Sequence, residues 1–365
     1  MNKKIRAIGA LFVAAIWLGL AGFAWLKPAD TLSEEERRKL AQMPGFSVQT
    51  LSDGSFREDF EDYSVDQFPL RMPMRTLKAV FHTYVLRHKD NNGIYIADGY
   101  ADQMEYPLNQ ASVDRASKQF NSIYELYLKD SNCKVYMSVI PDKGYYMAQE
   151  NGYLSLDYGQ MMSTMQQGMP WAEYVDITGQ LQLSSYYRTD THWRQEKLLP
   201  VAQTLSTAMG VTVPQLSDYK TTGLSQPFYG VHYGHAALPM EPDEIYILEN
   251  DMLSGCKVYI NGAAEATPVY DMTKLSSRDL YEVFLSGRQG LVRIENPNAK
   301  TDRELVVFRD SYGSSLIPLL VSDYAVVTLI DNRDIVPQRV GNFVDFTDQD
   351  VLFLHSALIL NSGDI

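Results

Sequence analysis

The sequence predicts an α/β fold built on a parallel sheet, and three observations lead there. From residue 93 onward, strand-like apolar runs alternate with stretches of helical periodicity, the pattern of strand–helix–strand units. The run CKVYMSVIP (133–141) reads as a buried strand ending at a proline. The run RELVVFRDSYGSSLIPLL (303–320) reads as strand, sharp turn and helix. At 365 residues the chain is long enough for one large α/β domain with additional segments.

The N-terminal segment stands apart from that fold. Lys3, Lys4 and Arg6 precede Ile8–Leu26, a stretch without a charge, and Lys27 follows. As a helix this stretch spans roughly 28 Å, close to the hydrocarbon thickness of a bilayer. Residues 1–27 are therefore expected to be a signal-anchor helix, with the basic end cytoplasmic and the rest of the chain extracytoplasmic. Cleavage as a signal peptide, giving a secreted product, is the alternative. Residues 28–90 are expected to form a helical juxtamembrane segment. Ser33 and Glu36 have the spacing of a capping box for a short helix. Phe56, Phe60 and Tyr63 recur at helical spacing, as do Leu77, Val80, Phe81 and Tyr84, with Pro69 and Pro73 forcing a break between them. These stripes are read as core packing.

Residues 91–365 are assigned to the α/β domain. GIYIADGY (93–100) predicts a strand and turn, residues 110–129 a helix, and residues 193–209 a helix ended by Gly210. Residues 214–300 are irregular, rich in Pro, Gly and Tyr, and read as an insertion. YAVVTLID (324–331) and DVLFLHSALIL (350–360) supply further strand candidates.

Composition narrows the function. The formal charge is −13, and without Lys3, Lys4 and Arg6 the remainder stands at −16. Such a surface disfavours nucleic acid and an anionic membrane face as partners, and leaves room only for a locally basic groove. Cys133 and Cys256 are far apart, and spacing leaves bridged and free states equally open. No metal site is expected, because the close pair His232 and His235 has no cysteine partners. Neither a Walker-type phosphate loop nor a GxGxxG stretch occurs.

Two local patterns carry chemistry. In YYRTDTHW (186–193), Asp190 and His192 lie two residues apart at a predicted helix entrance. In VVFRDSYG (306–313), Ser311 follows an apolar strand and opens a helix, where backbone N–H groups favour an anion. A serine hydroxyl needs a base to remove its proton and a third group to hold that base. Asp190, His192 and Ser311 fit those roles, although helix capping explains each pattern separately.

YYRTDTHW and FRDSYGSSLIPLL together resemble the DHHW protein family and, behind it, the alginate O-acetyltransferases with an SGNH-hydrolase-like domain. LSDGSFREDFEDYSVDQFPLR (51–71), IPDKGYY (140–146), FYGVHY (228–233), MEPDEI (240–245) and YEVFLSG (281–287) match the family pattern in the same order. Thr191 replaces the first histidine of the namesake motif, and the alginate enzymes share that DTHW sequence. The resemblance implies Asp190 as orienting carboxylate, His192 as base and Ser311 as nucleophile. Weaker oxyanion or substrate contacts are read at Tyr312 through its backbone N–H, at Lys143, at Arg333, which matches a family arginine and has a surface salt bridge as its other reading, and at Trp193, with core packing as its other reading; Arg288 stands where the family commonly has Asn. The implied activity is O-acetyl transfer to an exopolysaccharide or cell-wall glycan, with no cofactor. A membrane-bound O-acyltransferase is the implied partner that supplies acetyl groups. Acetyl ester hydrolysis and non-catalytic glycan binding or assembly are the alternatives.

Overall fold

The structure, a computed structural model, describes residues 3–365. Met1 and Asn2, with the side chains of Lys3 and Arg6, fall outside that description, so the expected basic flank lies partly outside the described residues. The chain divides into two compact units. One comprises residues 1–92 and 233–239, the other residues 93–232 and 240–365.

In the smaller unit, α1 (Lys3–Leu26) contains Ala7–Leu26, a helix long and apolar enough to cross a membrane. Helices α2 (Ser55–Asp66) and α3 (Arg71–Val80) follow, and α3 continues through a π-helical turn over Phe81–Val85. The helix expected at Ser33–Glu36 is instead a turn between the paired residues Leu32–Ser33 and Arg38–Lys39. Ser33 Oγ still accepts the Glu36 N–H at 3.2 Å. The Glu36 side chain has other work: it pairs with Arg71, with Arg75 at 3.2 Å and with Arg38 at 3.5 Å. Burial opposes its charge, but these cations hold its carboxyl below the usual value. Asp66 receives a two-pronged contact from Arg38 at 2.8 and 2.6 Å. Gly234 passes so close to the Glu35 backbone that a Cβ there would lie 1.7 Å from the Glu35 carbonyl oxygen. The stripe expected to pack as core does not: Leu77, Phe81 and Tyr84 are exposed.

In the larger unit a seven-stranded sheet forms the middle layer. Its strands are β1 (Lys134–Ile140), β2 (Glu173–Tyr174), β3 (Lys257–Ile260), β4 (Leu291–Glu295), β5 (Arg303–Arg309), β6 (Tyr324–Ile330) and β7 (Asp350–Ser356). The spatial order is β2-β1-β7-β5-β6-β4-β3. The first five in that order pair in parallel, while β4 is antiparallel to both β6 and β3. The expected parallel sheet therefore has an antiparallel edge, supplied by the stretch read as an insertion. Side chains alternate across the sheet. Val306 and Phe308 face α4 (Gln110–Ile123) and α5 (Tyr158–Gly168), packing with Val113, Phe120, Met161 and Met165. Leu305 and Val307 face α6 (Leu199–Met209) and its Val201, Leu205 and Met209. The mixed α/β class with helices on both faces is as the sequence predicts.

Two boundaries moved for physical reasons. The helix expected from Trp193 begins at Leu199, because residues 193–198 are tied into the turn before it, and Pro200 is pre-shaped for a first turn. β7 ends at Ser356, whose hydroxyl accepts the Ile359 N–H and starts a short helix over Ala357–Ser362. Cys133 and Cys256 are both free thiols.

Candidate active site

β1 and β5 both end on the same edge of the sheet, with β7 between them. In parallel α/β sheets that edge gathers functional groups. The site begins with a tight excursion of the chain. Tyr186 and Trp193 bridge in antiparallel fashion, and the Tyr187 N–H donates to the His192 carbonyl at 3.1 Å. Residues 188–191 must turn within that clamp, which puts the Asp190 carboxylate beside the His192 ring. Asp190 Oδ1 accepts from the His192 backbone N–H at 3.1 Å and lies 2.6 Å from Nδ1. Asp190 Oδ2 accepts the Val231 N–H at 3.0 Å. On the far side of the ring, Nε2 lies 2.8 Å from Ser311 Oγ. The three residues form one hydrogen-bonded chain, although Asp190 and Ser311 are far apart in sequence.

With the Asp190 carboxylate as acceptor, the neutral ring carries its proton on Nδ1. Nε2 then faces Ser311 as an acceptor. A hydroxyl held in that way can lose its proton to the ring as the oxygen attacks an electrophile. The ring is also fixed from above. Tyr281 stacks on it with centroids 3.9 Å apart and planes inclined by 11°, and Tyr312 lies at 5.0 Å. The Tyr281 hydroxyl bonds Ser315 Oγ at 2.7 Å, which locks the stacking ring in place.

A second layer holds the turn itself. Asp243 accepts the N–H groups of Arg188 and Thr189 at 2.9 and 2.8 Å and the Thr189 hydroxyl at 2.6 Å. Thr189 Oγ1 in turn accepts the Gly230 N–H at 2.9 Å. Gly230 lies so close to Asp190 that an added Cβ would sit 2.2 Å from the Asp190 Cβ. The motifs FYGVHY and MEPDEI thus supply the grip on the Asp190 turn. Sequence reasoning gave Gly230, Asp243 and Tyr281 no role. The only signal for them was their place inside ordered motifs.

Several residues weighed as substrate contacts are bonded within the protein. Lys143 is fully buried. Its Nζ donates to the Asp190 carbonyl at 2.7 Å, the Tyr187 carbonyl at 3.2 Å and the Ala101 carbonyl. It braces the turn from behind. Burial lowers its pKa, and burial raises those of the neighbouring Asp102 and Asp142. Trp193 is also fully buried, and its Nε1 donates to the Tyr312 carbonyl and to Ser315 Oγ, both at 3.0 Å. It is not placed to stack on a ligand. The Tyr312 N–H donates to Asp310 Oδ1 at 3.0 Å, so the amide expected to meet an oxyanion is already engaged. Asp310 Oδ2 accepts the Ser356 N–H at 2.7 Å, which fixes the Ser311 turn against the end of β7.

Arg288 and Arg333 converge on Asp331. Arg333 contacts it through Nε at 2.8 Å and Nη2 at 2.6 Å, while Arg288 reaches it at 3.5 Å and Asp334 at 2.7 Å. Both guanidinium groups are engaged by carboxylates, Arg288 while half-exposed. Behind them lie Arg309, fully buried, and His355. Burial lowers the His355 pKa to about 4, which keeps it neutral.

Residues 161–330 match the model of the DHHW protein family. That span contains Asp190, His192 and Ser311, and the match bears out the resemblance read from the sequence. A DHHW family protein from Eubacterium siraeum DSM 15702 is similar in structure, with a TM-score of 0.63 and 21% identity over 75% of this chain and 95% of that one. PatB1 of Bacillus cereus carrying a sulfonyl adduct gives a TM-score of 0.59 at 16% identity, over 74% of this chain and 96% of that one. A second PatB1 structure gives 0.56 at 14% identity, over 74% and 97%. At these identities the likeness is one of fold. No curated protein sequence matches the chain.

Proposed function

We propose that this chain is an extracytoplasmic O-acetyltransferase acting on an exopolysaccharide or cell-wall glycan through Ser311, His192 and Asp190. The observation that carries the reading is the unbroken chain of short contacts from Asp190 through His192 to Ser311, 2.6 and 2.8 Å long. The resemblance of Asp190-Thr191-His192-Trp193 to the alginate O-acetyltransferases supports transfer as the reaction. α1 supports attachment to a membrane, with a membrane-bound O-acyltransferase as the acetyl source.

In the first half-reaction, Ser311 Oγ attacks the donor's acetyl carbonyl while His192 Nε2 takes the hydroxyl proton. Collapse of the tetrahedral intermediate breaks the bond to the leaving group, which departs with the proton from His192. In the second, His192 removes the proton of a sugar hydroxyl as that oxygen attacks the acetyl-serine. The ring then returns the proton to Ser311 Oγ. Asp190 stabilises the imidazolium that forms in each half. Water in place of the sugar would give an esterase.

The test is incubation of the full chain with an activated acetyl ester and soluble glycan acceptors, alongside labelling by a fluorophosphonate. Acetylated glycan is the expected product, and the Ser311→Ala variant should take no label. Free acetate with no acetylated glycan would replace transfer by hydrolysis. Label retained at full strength in Ser311→Ala would overturn the assignment of the nucleophile.

A further inference from the structure

Residues 67–89 contain Arg71, Arg75, Lys78, Arg87 and Lys89 and no acidic residue, in a chain whose formal charge is −13. Within this segment lie α3 and the π-helical turn that extends it. Leu70, Met74, Leu77, Phe81 and Tyr84 recur at spacings of three and four, so they line one face of that helix. The face is open: Leu70 is 61% exposed, Leu77 63%, Phe81 48% and Tyr84 60%. The opposite side carries Ala79, fully buried, and Arg71 and Arg75 turn away from the stripe to Glu36. Along its edge runs a cleft of about 670 Å³ that combines Val65, Phe68 and Met74 with Arg71, Arg75 and Lys78. The same compact unit holds α1, of membrane-spanning length.

We propose that this face is a membrane contact. The helix of residues 71–85, with Leu70 capping its start, lies in the plane of an anionic phospholipid bilayer, with Leu70, Leu77 and Phe81 in the acyl boundary and Lys78 and Arg87 at the lipid phosphates. An apolar stripe flanked by the cations Lys78 and Arg87, in a segment that has no acidic residue of its own, is the pattern of an interfacial helix. Glu36 and Asp66 are taken up by Arg71 and Arg75 away from the stripe, so Lys78 and Arg87 set the charge beside it. The inference is independent of the acyl-transfer reading, because it concerns a surface in the other unit. It assigns residues 70–85 a lipid-facing role separate from that of α1.

The experiment is amide hydrogen exchange on the full chain in nanodiscs, one set of phosphatidylcholine alone and one with phosphatidylglycerol added. Exchange over residues 70–85 should be several-fold slower in the anionic discs, and the protection should shrink at high salt. Lys78→Glu with Arg87→Glu should abolish the difference between the two lipids. Leu77→Gln with Phe81→Gln should remove protection in both while leaving the melting temperature unchanged. Equal exchange in neutral and anionic discs would overturn the lipid assignment. Exchange as fast as in detergent in both discs would overturn it as well, and would leave the stripe to a protein partner.

Discussion

Helix α4 and the helix of residues 71–85 carry the same apolar code with opposite outcomes. In α4, Val113, Ala116, Phe120 and Ile123 are buried, and Phe120 packs against Phe353 of β7 at 5.0 Å. In the other helix, Leu77, Phe81 and Tyr84 sit at equivalent spacing and remain exposed. Periodicity reports that a helix has a face; it does not report what covers that face. The cover of α4 is a sheet whose strands alternate their side chains to both sides. The smaller unit has no such sheet among its described residues, only two-residue strand pairing and helices. The buried carboxylates differ in their partners as well, though not strictly by unit, since Asp331 of the larger unit is closed by Arg333. In the larger unit, buried carboxylates such as Asp190, Asp243 and Asp310 are closed by backbone N–H groups, so they fix geometry. In the smaller unit, Glu36 and Asp66 are closed by arginine side chains, so they tie helices to a turn.

The largest effect that would test this division lies at the hydrogen-bonded chain. His192→Ala should reduce acyl transfer or ester hydrolysis by on the order of 10⁴. It should leave the melting temperature within a few degrees, because Asp190 keeps the backbone N–H groups of residues 192 and 231. Asp190→Asn should behave differently. Both Asp190 oxygens receive N–H donors, so an amide must point its NH₂ at one of them. That variant should lose a comparable share of activity and also about 1–3 kcal/mol of stability. Thermal unfolding and rate measurements on both variants separate the roles. If His192→Ala melts many degrees lower and keeps most of its rate, the residue is structural and the proposed chemistry fails.

Much of the candidate site was legible in the sequence because the proposed chemistry calls for particular residue types, two of them at local spacing. Asp190 and His192 are two residues apart, and Ser311 directly follows an apolar strand and one aspartate. Their supporting residues were harder to place. Lys143, Trp193 and Arg333 were each recognised as notable, yet a large side chain that carries an N–H group can turn outward to a ligand or inward to a protein acceptor. All three turn inward here, and nothing local to those residues encodes that direction. Tyr281 was missed because its partner His192 comes from a distant segment, so only the fold joins them. The antiparallel edge of the sheet was obscured in a similar way. β3 and β4 are short strands within a stretch rich in Pro and Gly, whereas the central strands read clearly from continuous apolar runs.

A smaller effect should follow from glycine positions in the two units. Gly230→Ala puts a methyl group against the Asp190 backbone, 2.4 Å from its Cα, where no flexible side chain can yield. We expect a stability loss of about 1–3 kcal/mol, as for an overpacked core. The rate should also fall, because the carboxylate moves with its backbone. Gly45→Ala in the smaller unit meets nothing within 4 Å and should change neither quantity. Denaturant unfolding and kinetics of the two variants give the comparison. A Gly230→Ala protein of normal stability and rate would mean that the contact between residue 230 and the Asp190 turn is not close in solution.

The smallest effect is also the sharpest test of the opening contrast. Leu77→Gln or Phe81→Gln exchanges an exposed apolar side chain for a polar one, and glutamine is a good helix former. Away from a packed core such changes stay within about 0.5 kcal/mol of the parent. Phe120→Ala, in the sheet-covered helix, should cost about 3–5 kcal/mol through lost burial and the cavity left behind. All three proteins should be unfolded in detergent without lipid, so that any membrane contact of residues 70–85 does not contribute. If Leu77→Gln or Phe81→Gln costs as much as Phe120→Ala, the stripe is covered by protein after all. The two helices would then share one fate as well as one code, and the membrane assignment of that face would fall with the contrast.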